Sequence, residues 1–269
     1  MYLNDEVLQS EDWPGLIDTH CHLDLEPLYP HLAEVVARAH QAGVAQCVVP
    51  GVHPDGWGRM TAMAKQHEGI FPAYGVHPMH AAIADDGNLS RLGVCASAGV
   101  AIGEIGLDPA YTVPLDRQER AFRDQLRLAV SLGLPVLVHC RRAFQRTLRV
   151  LQEEHAHHVG GIMHAFSGSP EMAREFIRLG FVISISGMIT RENAVRPLRL
   201  VSELPLESLV LETDAPDMTP QRYRGQSNQP AYIVETLRAV AGIKGVEPVT
   251  VARCSRAASL TVLNGMQML

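Results

Sequence analysis

Eight short apolar runs, each followed by a longer amphipathic run, restrict the fold of this chain more than any other feature. Leu16–His22, Val44–Val49, Ile70–Val76, Val100–Ile105, Pro135–Val138, Gly161–His164, Phe181–Ile185 and Ser208–Thr213 read as strands. Between and after them, helices are expected at His31–Ala42, Gly56–His67, Ser90–Ala98, Leu115–Leu132, Phe144–His155, Pro170–Leu179, Glu192–Leu204, Tyr232–Ala241 and Pro248–Leu263. The longest has apolar Phe122, Leu126 and Ala129 at spacings of four and three, and Gly133 to close it. Strands that alternate with helices pair in parallel through right-handed crossovers. Eight such units in 269 residues predict an α/β fold, a closed (β/α)8 TIM barrel of a single domain spanning 1–269. Residues 1–14 read as an N-terminal extension. An open doubly wound sheet is the competing arrangement. It usually places G-x-G-x-x-G after its first strand, whereas His20-Cys21-His22 stands there here.

In a barrel the reacting groups stand at the C-terminal ends of the strands. Strand one ends in Asp18, His20 and His22, and residues two apart on a strand point to one side. Strand four runs into Glu104 and Asp108, strand five into His139 and strand six into His164. Strand eight runs into Glu212 and Asp214. An isolated H-x-H means little; four imidazoles and several carboxylates at one end of one barrel point to metal. Imidazole with carboxylate, and no thiolate in place, suits Zn, Mn, Fe or Mg. His20, His22, Glu104, His139, His164 and Asp214 are too many ligands for one catalytic zinc, and suit two divalent ions a few ångströms apart. A carboxylated lysine bridges the ions in some barrels, but Lys65 and Lys244 are the only lysines, and both fall in helix or loop readings. The bridge must then be a carboxylate, and Glu104 is the candidate.

Other residues have narrower readings. His77, before Pro78, is a candidate for holding a phosphate or a third ion, and Arg141 for gripping a phosphate in bidentate fashion. Arg142, Arg222 and Arg224 are similar candidates. Arg117, Arg120, Arg123 and Arg127 read as a solvent face, and His155, His157 and His158 as surface residues. Cys21 and Cys140 alternate away from the ligands and read as packing residues. The net charge of −6 argues against a long basic groove, though not against a pocket for one or two phosphates. Five scattered cysteines, no basic-then-apolar leader and no apolar run near ~20 residues predict a cytoplasmic protein with no membrane contact.

Six motifs carry a resemblance. They are Ile17-Asp18-Thr19-His20-Cys21-His22, Gly75-Val76-His77-Pro78, Gly103-Glu104-Ile105-Gly106-Leu107-Asp108, Val138-His139-Cys140-Arg141, His164-Ala165-Phe166-Ser167-Gly168-Ser169 and Leu211-Glu212-Thr213-Asp214-Ala215-Pro216. In order and spacing they resemble the TatD family of metal-dependent hydrolases, in the amidohydrolase superfamily. The resemblance implies that His20, His22, Glu104 and Asp214 hold one ion and that Glu104, His139 and His164 hold the other. It gives Asp214 the acid/base role. It implies a phosphodiesterase, a deoxyribonuclease of 3′–5′ exonuclease type acting on nucleic acid or another phosphodiester. A carboxyl-ester or amide hydrolase on the same site, such as a D-aminoacyl-tRNA deacylase, is the alternative, because some relatives remove D-amino acids from tRNA. No obligate protein partner is evident. The chain departs from the family at Ala165, at the reduced basic character of Gln226–Pro230 and at Ser255-Arg256-Ala257. These leave the ligand set whole and bear on substrate choice, which loops set on this fold.

Overall fold

The structure, a computed structural model, describes residues 13–266. Most of the expected N-terminal extension lies outside the described residues. Eight parallel strands run in the order of the chain: β1 (Leu16–Asp18), β2 (Val44–Pro50), β3 (Ile70–Tyr74), β4 (Ala101–Leu107), β5 (Val136–Cys140), β6 (Gly161–Met163), β7 (Phe181–Ile185) and β8 (Leu209–Leu211). Each pairs with the next. The Thr19 amide donates to the Leu211 carbonyl at 3.1 Å and brings the two ends of the sheet together. The fold is a single-domain (β/α)8 TIM barrel, as the alternation predicts.

The helices α1 (Leu32–Gln41), α2 (Trp57–Gln66), α3 (Asp86–Ala96), α4 (Leu115–Leu132), α5 (Phe144–Glu153), α6 (Pro170–Arg178), α7 (Val195–Glu203), α8 (Ile233–Lys244) and α9 (Pro248–Val262) follow their strands. Every strand sends at least one residue into one cluster: Ile17, Val48, Ala73, Ala101, Leu137, Ile162, Val182 and Val210 pack together, with Phe71 a second from β3. Ala258, Leu263 and Met266 join it from α9 and the segment beyond. The alternate strand residues, such as Val136 and Val138, pack outward with Phe122 and Leu126 of α4. The core thus lies below and around the barrel mouth, leaving polar groups at the mouth itself.

Two expectations are corrected. The first strand stops at Asp18, so His20 and His22 lie in the loop that follows. The His20 amide turns to the Asp18 carboxylate at 3.3 Å. Strand alternation therefore does not aim these imidazoles; the loop does. Arg123 is also not a solvent-face residue. It is half-buried and holds Glu119, Glu153 and Glu154 at 2.5–2.7 Å, which ties α4 to α5. By contrast His155, His157 and His158 are exposed, and Cys21 and Cys140 are buried, as read from the sequence.

Candidate metal centre

Hydrogen bonds between neighbouring strand ends set the backbone of the mouth. The Asp214 amide donates to the His20 carbonyl at 2.8 Å, and the His22 amide to the Ala215 carbonyl at 2.7 Å. Asp18, fully buried, accepts from the Thr213 amide at 2.9 Å and from its hydroxyl at 2.5 Å. Burial pushes the Asp18 carboxyl up to about 7, against the opposing pull of those bonds. Asn228, also buried, donates to the Thr213 and Asp217 carbonyls at 2.8 and 2.6 Å and so pins the loop that carries Asp214. Arg142, Ala165 and Asp214 all have left-handed backbones, with φ of 53°, 42° and 56°. Each costs about 1–2 kcal/mol for a residue with a side chain, and such strain gathers where a site must be held. Gly106 is required for space: at φ 146°, a Cβ there would lie 1.9 Å from the His139 carbonyl oxygen.

Glu104 is the centre of the arrangement. It is 2% exposed. Its Oε2 lies 3.2 Å from His20 Nε2 and 3.7 Å from His22 Nε2. Its Oε1 lies 2.7 Å from His139 Nδ1, 3.5 Å from His77 Nε2 and 3.8 Å from His164 Nε2. Asp214 Oδ1 stands 3.6–3.7 Å from ring nitrogens of His20, His22 and His164. The carboxylate thus turns one oxygen toward His20 and His22, and the other toward His139, His77 and His164. Burial opposes its ionisation, but His77, His20, His164 and His139 outweigh that and hold it well below the ordinary range. Asp214 behaves alike: burial raises it, and His164, His22 and His20 bring it down.

The imidazoles are not equivalent. Burial pulls His164 down, but Glu212, Asp214 and Glu104 push it up to about 10. His20, stacked on His164 with centroids 3.5 Å apart, is lowered by burial and by that neighbour. Burial likewise opposes protonation of His139, while Asp108 and Glu104 raise it to about 9. Two carboxylates whose roles sequence reasoning missed act through these rings. Glu212 accepts from His164 at Nδ1, 3.0 Å, and from the Ala165 amide at 2.8 Å. Asp108 Oδ2 lies 3.1 Å from His139 Nε2. The signal for Glu212 was its place two residues before Asp214. Tyr111 was missed outright; its ring lies 5.4 Å from His77 and 6.2 Å from His139.

Buried polar atoms without partners test whether metal belongs here. Both ring nitrogens of His20 and Nδ1 of His22 are buried without a hydrogen bond. Such groups are costly unless something else satisfies them. Donor atoms of His20, His22 and Asp214 gather within 4.8 Å, as do those of His20, His164 and Glu212, and of His77, Glu104 and His139. The donor set fits hard-to-borderline divalent ions. Of the weaker candidates, His77 is buried against Glu104, and its Nδ1 accepts from the Met79 amide at 3.2 Å. Arg141 is exposed at the rim, 4.0 Å from Asp108. Arg222 and Arg224 are exposed, and Arg222 faces Glu235 at 3.4 Å. Among the described residues, no helix is long and apolar enough to cross a membrane.

A barrel whose mouth gathers buried carboxylates around imidazoles, with nitrogens of His20 and His22 left without hydrogen bonds, defines a metal-dependent hydrolase. The family model described as TatD related DNase matches residues 17–264, so the chain belongs to the TatD family. It is 38% identical over 232 residues to the Bacillus subtilis protein named uncharacterized metal-dependent hydrolase YabD, covering 85% of this chain and 91% of that one. It is 36% identical over 224 residues to the 3′-5′ ssDNA/RNA exonuclease TatD of Cronobacter sakazakii, covering 80% and 85%. The crystal structure of YJJV, a TatD homolog from Escherichia coli, superposes with a TM-score of 0.88 at 33% identity, covering 93% of this chain and 98% of that one.

Proposed function

We propose that the protein is a two-metal phosphodiesterase that trims single-stranded nucleic acid from a 3′ end. One observation carries the reading: the two oxygens of Glu104 face different imidazoles, Oε2 those of His20 and His22 and Oε1 that of His139. His20, His22, Glu104 and Asp214 would hold one ion; Glu104, His139 and His164 would hold the other. Zn, Mn and Mg all suit these donors. Bound there, two such ions supply water activation near neutral pH and charge neutralisation at a phosphoryl group.

The protein's own groups do the rest. Asp214, ionised and 9% exposed, accepts the proton of the attacking water and returns one to the leaving oxygen. Glu212 and Asp108 fix the rings of His164 and His139, so that the nitrogens facing Glu104 stay in place. His77 and Arg141 border the space where the phosphoryl oxygens lie, and stabilise their charge. The name of the Cronobacter relative supports the choice of nucleic acid.

The test is an activity panel after reconstitution with Zn, Mn or Mg. It includes single-stranded DNA, RNA, D-aminoacyl-tRNA and a simple carboxyl ester, with Asp214→Asn as the blank. Hydrolysis of DNA or RNA, lost in the blank, is the expected result. Esters or aminoacyl-tRNA cleaved in place of every phosphodiester would overturn the reading.

A further inference from the structure

Two hollows meet at the metal centre. The first, of about 560 Å³, lies directly over Glu104, His22 and His77. The second, of about 810 Å³, opens toward the loops after β5 to β8. Tyr111, His139, His164, Asp214 and Asp217 line both. The two hollows differ in character. No lysine or arginine lines the first, and Glu26 does. Arg141 and Arg196 line the second, together with an apolar wall of Phe166, Ile189, Met188 and Val195. Arg191 and Arg224 lie just beyond, in an adjoining hollow that Met188 also borders.

That wall is braced from behind, and Met188 and Val195 leave part of it uncovered. Met188 is 39% exposed and Val195 is 74% exposed. With Leu198 they are three of the eight exposed large apolar residues among the described residues. Apolar side chains at a surface are common singly, whereas a group beside a catalytic pocket marks a contact site. The segment bearing them is clamped to the loop after β8. The Gln221 amide donates to the Thr190 hydroxyl at 2.8 Å, and Arg191 donates to the Thr219 carbonyl at 2.7 Å. A Cβ on Gly187 would lie 2.7 Å from the Met218 carbonyl oxygen, so the loops touch through backbone there. A wall held this firmly is preorganised for a ligand.

Resting on the phosphodiesterase reading, we propose that this chamber binds the strand next to the scissile phosphate. The unpaired base there lies against Met188 and Val195, with Arg141 on the side of the scissile phosphate, and Arg196 holds the following phosphate. Charge and shape select this occupant together. An apolar face between arginines matches a base between phosphates, and every base offers such a face. A paired base has its faces covered by stacking within a duplex, so the chamber selects single strands. Segment 188–196 is then the specificity element of this site.

The experiment combines a variant with a substrate change, using metal-loaded protein. The substrates are an oligothymidylate, the same strand with an abasic residue at the penultimate position, and methyl p-nitrophenyl phosphate, which has no nucleoside. Wild-type protein is expected to cleave the abasic strand with about tenfold lower kcat/KM, the scale of one lost apolar contact. Met188→Ser/Val195→Ser is expected to lose about tenfold on the intact strand and nothing further on the abasic one, because the two changes remove one contact. Its rate on methyl p-nitrophenyl phosphate and its melting temperature stay at wild-type values, and Arg196→Ala flattens the salt dependence of KM on the strand. Equal losses on both strands, or no loss on either, would overturn the proposal. So would a wild-type dimer that Met188→Ser dissociates, since the wall would then be covered by a second copy. Cleavage of methyl p-nitrophenyl phosphate without cleavage of either strand sinks this proposal and the choice of nucleic acid, and leaves the phosphodiesterase reading standing. No cleavage of any of the three sinks the phosphodiesterase reading as well.

Discussion

Glu212→Gln isolates the part of the site that sets histidine chemistry. Glu212 is fully buried and accepts two hydrogen bonds, from the His164 ring at 3.0 Å and from the Ala165 amide at 2.8 Å. A glutamine keeps one acceptor and gains two donors. If its NH2 faced the Ala165 amide, two donors would oppose each other at a cost of about 1–3 kcal/mol. The cheaper orientation keeps the carbonyl on Ala165 and turns the NH2 toward His164 Nδ1. That ring then accepts at Nδ1 and carries its proton on Nε2, the nitrogen 3.8 Å from Glu104 and 3.7 Å from Asp214. A protonated nitrogen cannot ligate a metal. Loss of such a ring-orienting partner costs about 10–100-fold in metal affinity, or roughly 1.4–2.7 kcal/mol. The assay strips the protein with a chelator, then titrates Zn or Mn against a competing indicator, with thermal melting as a control. Weakened binding at an intact fold is the expected result. Unchanged metal affinity in Glu212→Gln would refute the reasoning that Glu212 sets the His164 tautomer.

Three further outcomes follow from other parts of the structure. Burial raises the Glu154 carboxyl, but its bonds to Arg127 and Arg123 outweigh that and leave it depressed. Its stabilisation is therefore present above the ordinary value of 4.5 and fades as pH falls through the depressed one. Glu154→Gln should lower stability by about 1–2 kcal/mol near pH 7, with the gap from wild type closing in acid, as followed by thermal melting across pH. Gly106→Ala should cost more than about 3 kcal/mol in urea unfolding, because its Cβ would meet the His139 carbonyl at 1.9 Å. Asn228→Ala should lower kcat more than it raises KM, since Asn228 holds the Asp214 loop through two carbonyls; an equal effect on both would argue for a general role.

The fold was legible in the sequence because its punctuation is local. Helix α4 matches its expected bounds, Leu115–Leu132, and Gly133 ends it in a left-handed conformation with φ 66°. Helix α3 starts earlier than its apolar pattern indicates, because the Asp85 carboxylate accepts from the Asn88 amide at 2.9 Å and caps it. The central donors were also legible, since strand ends fix where such residues stand. Pairings across the barrel were not. Glu212 with His164, Asp108 with His139, and Arg123 with the acids of α5 are contacts at sequence separations of about thirty to fifty residues. Nothing in local periodicity announces them. Tyr111 reaches the mouth from the segment after β4, where no strand-end rule applies.

In the proposed mechanism Glu104 joins two metal ions. Elemental analysis of the purified protein, titrated to saturation with Zn or Mn while activity is followed, tests that directly. Two ions per chain, with activity rising as the second binds, is the predicted result. Full activity at one ion per chain, with no further uptake, would contradict it.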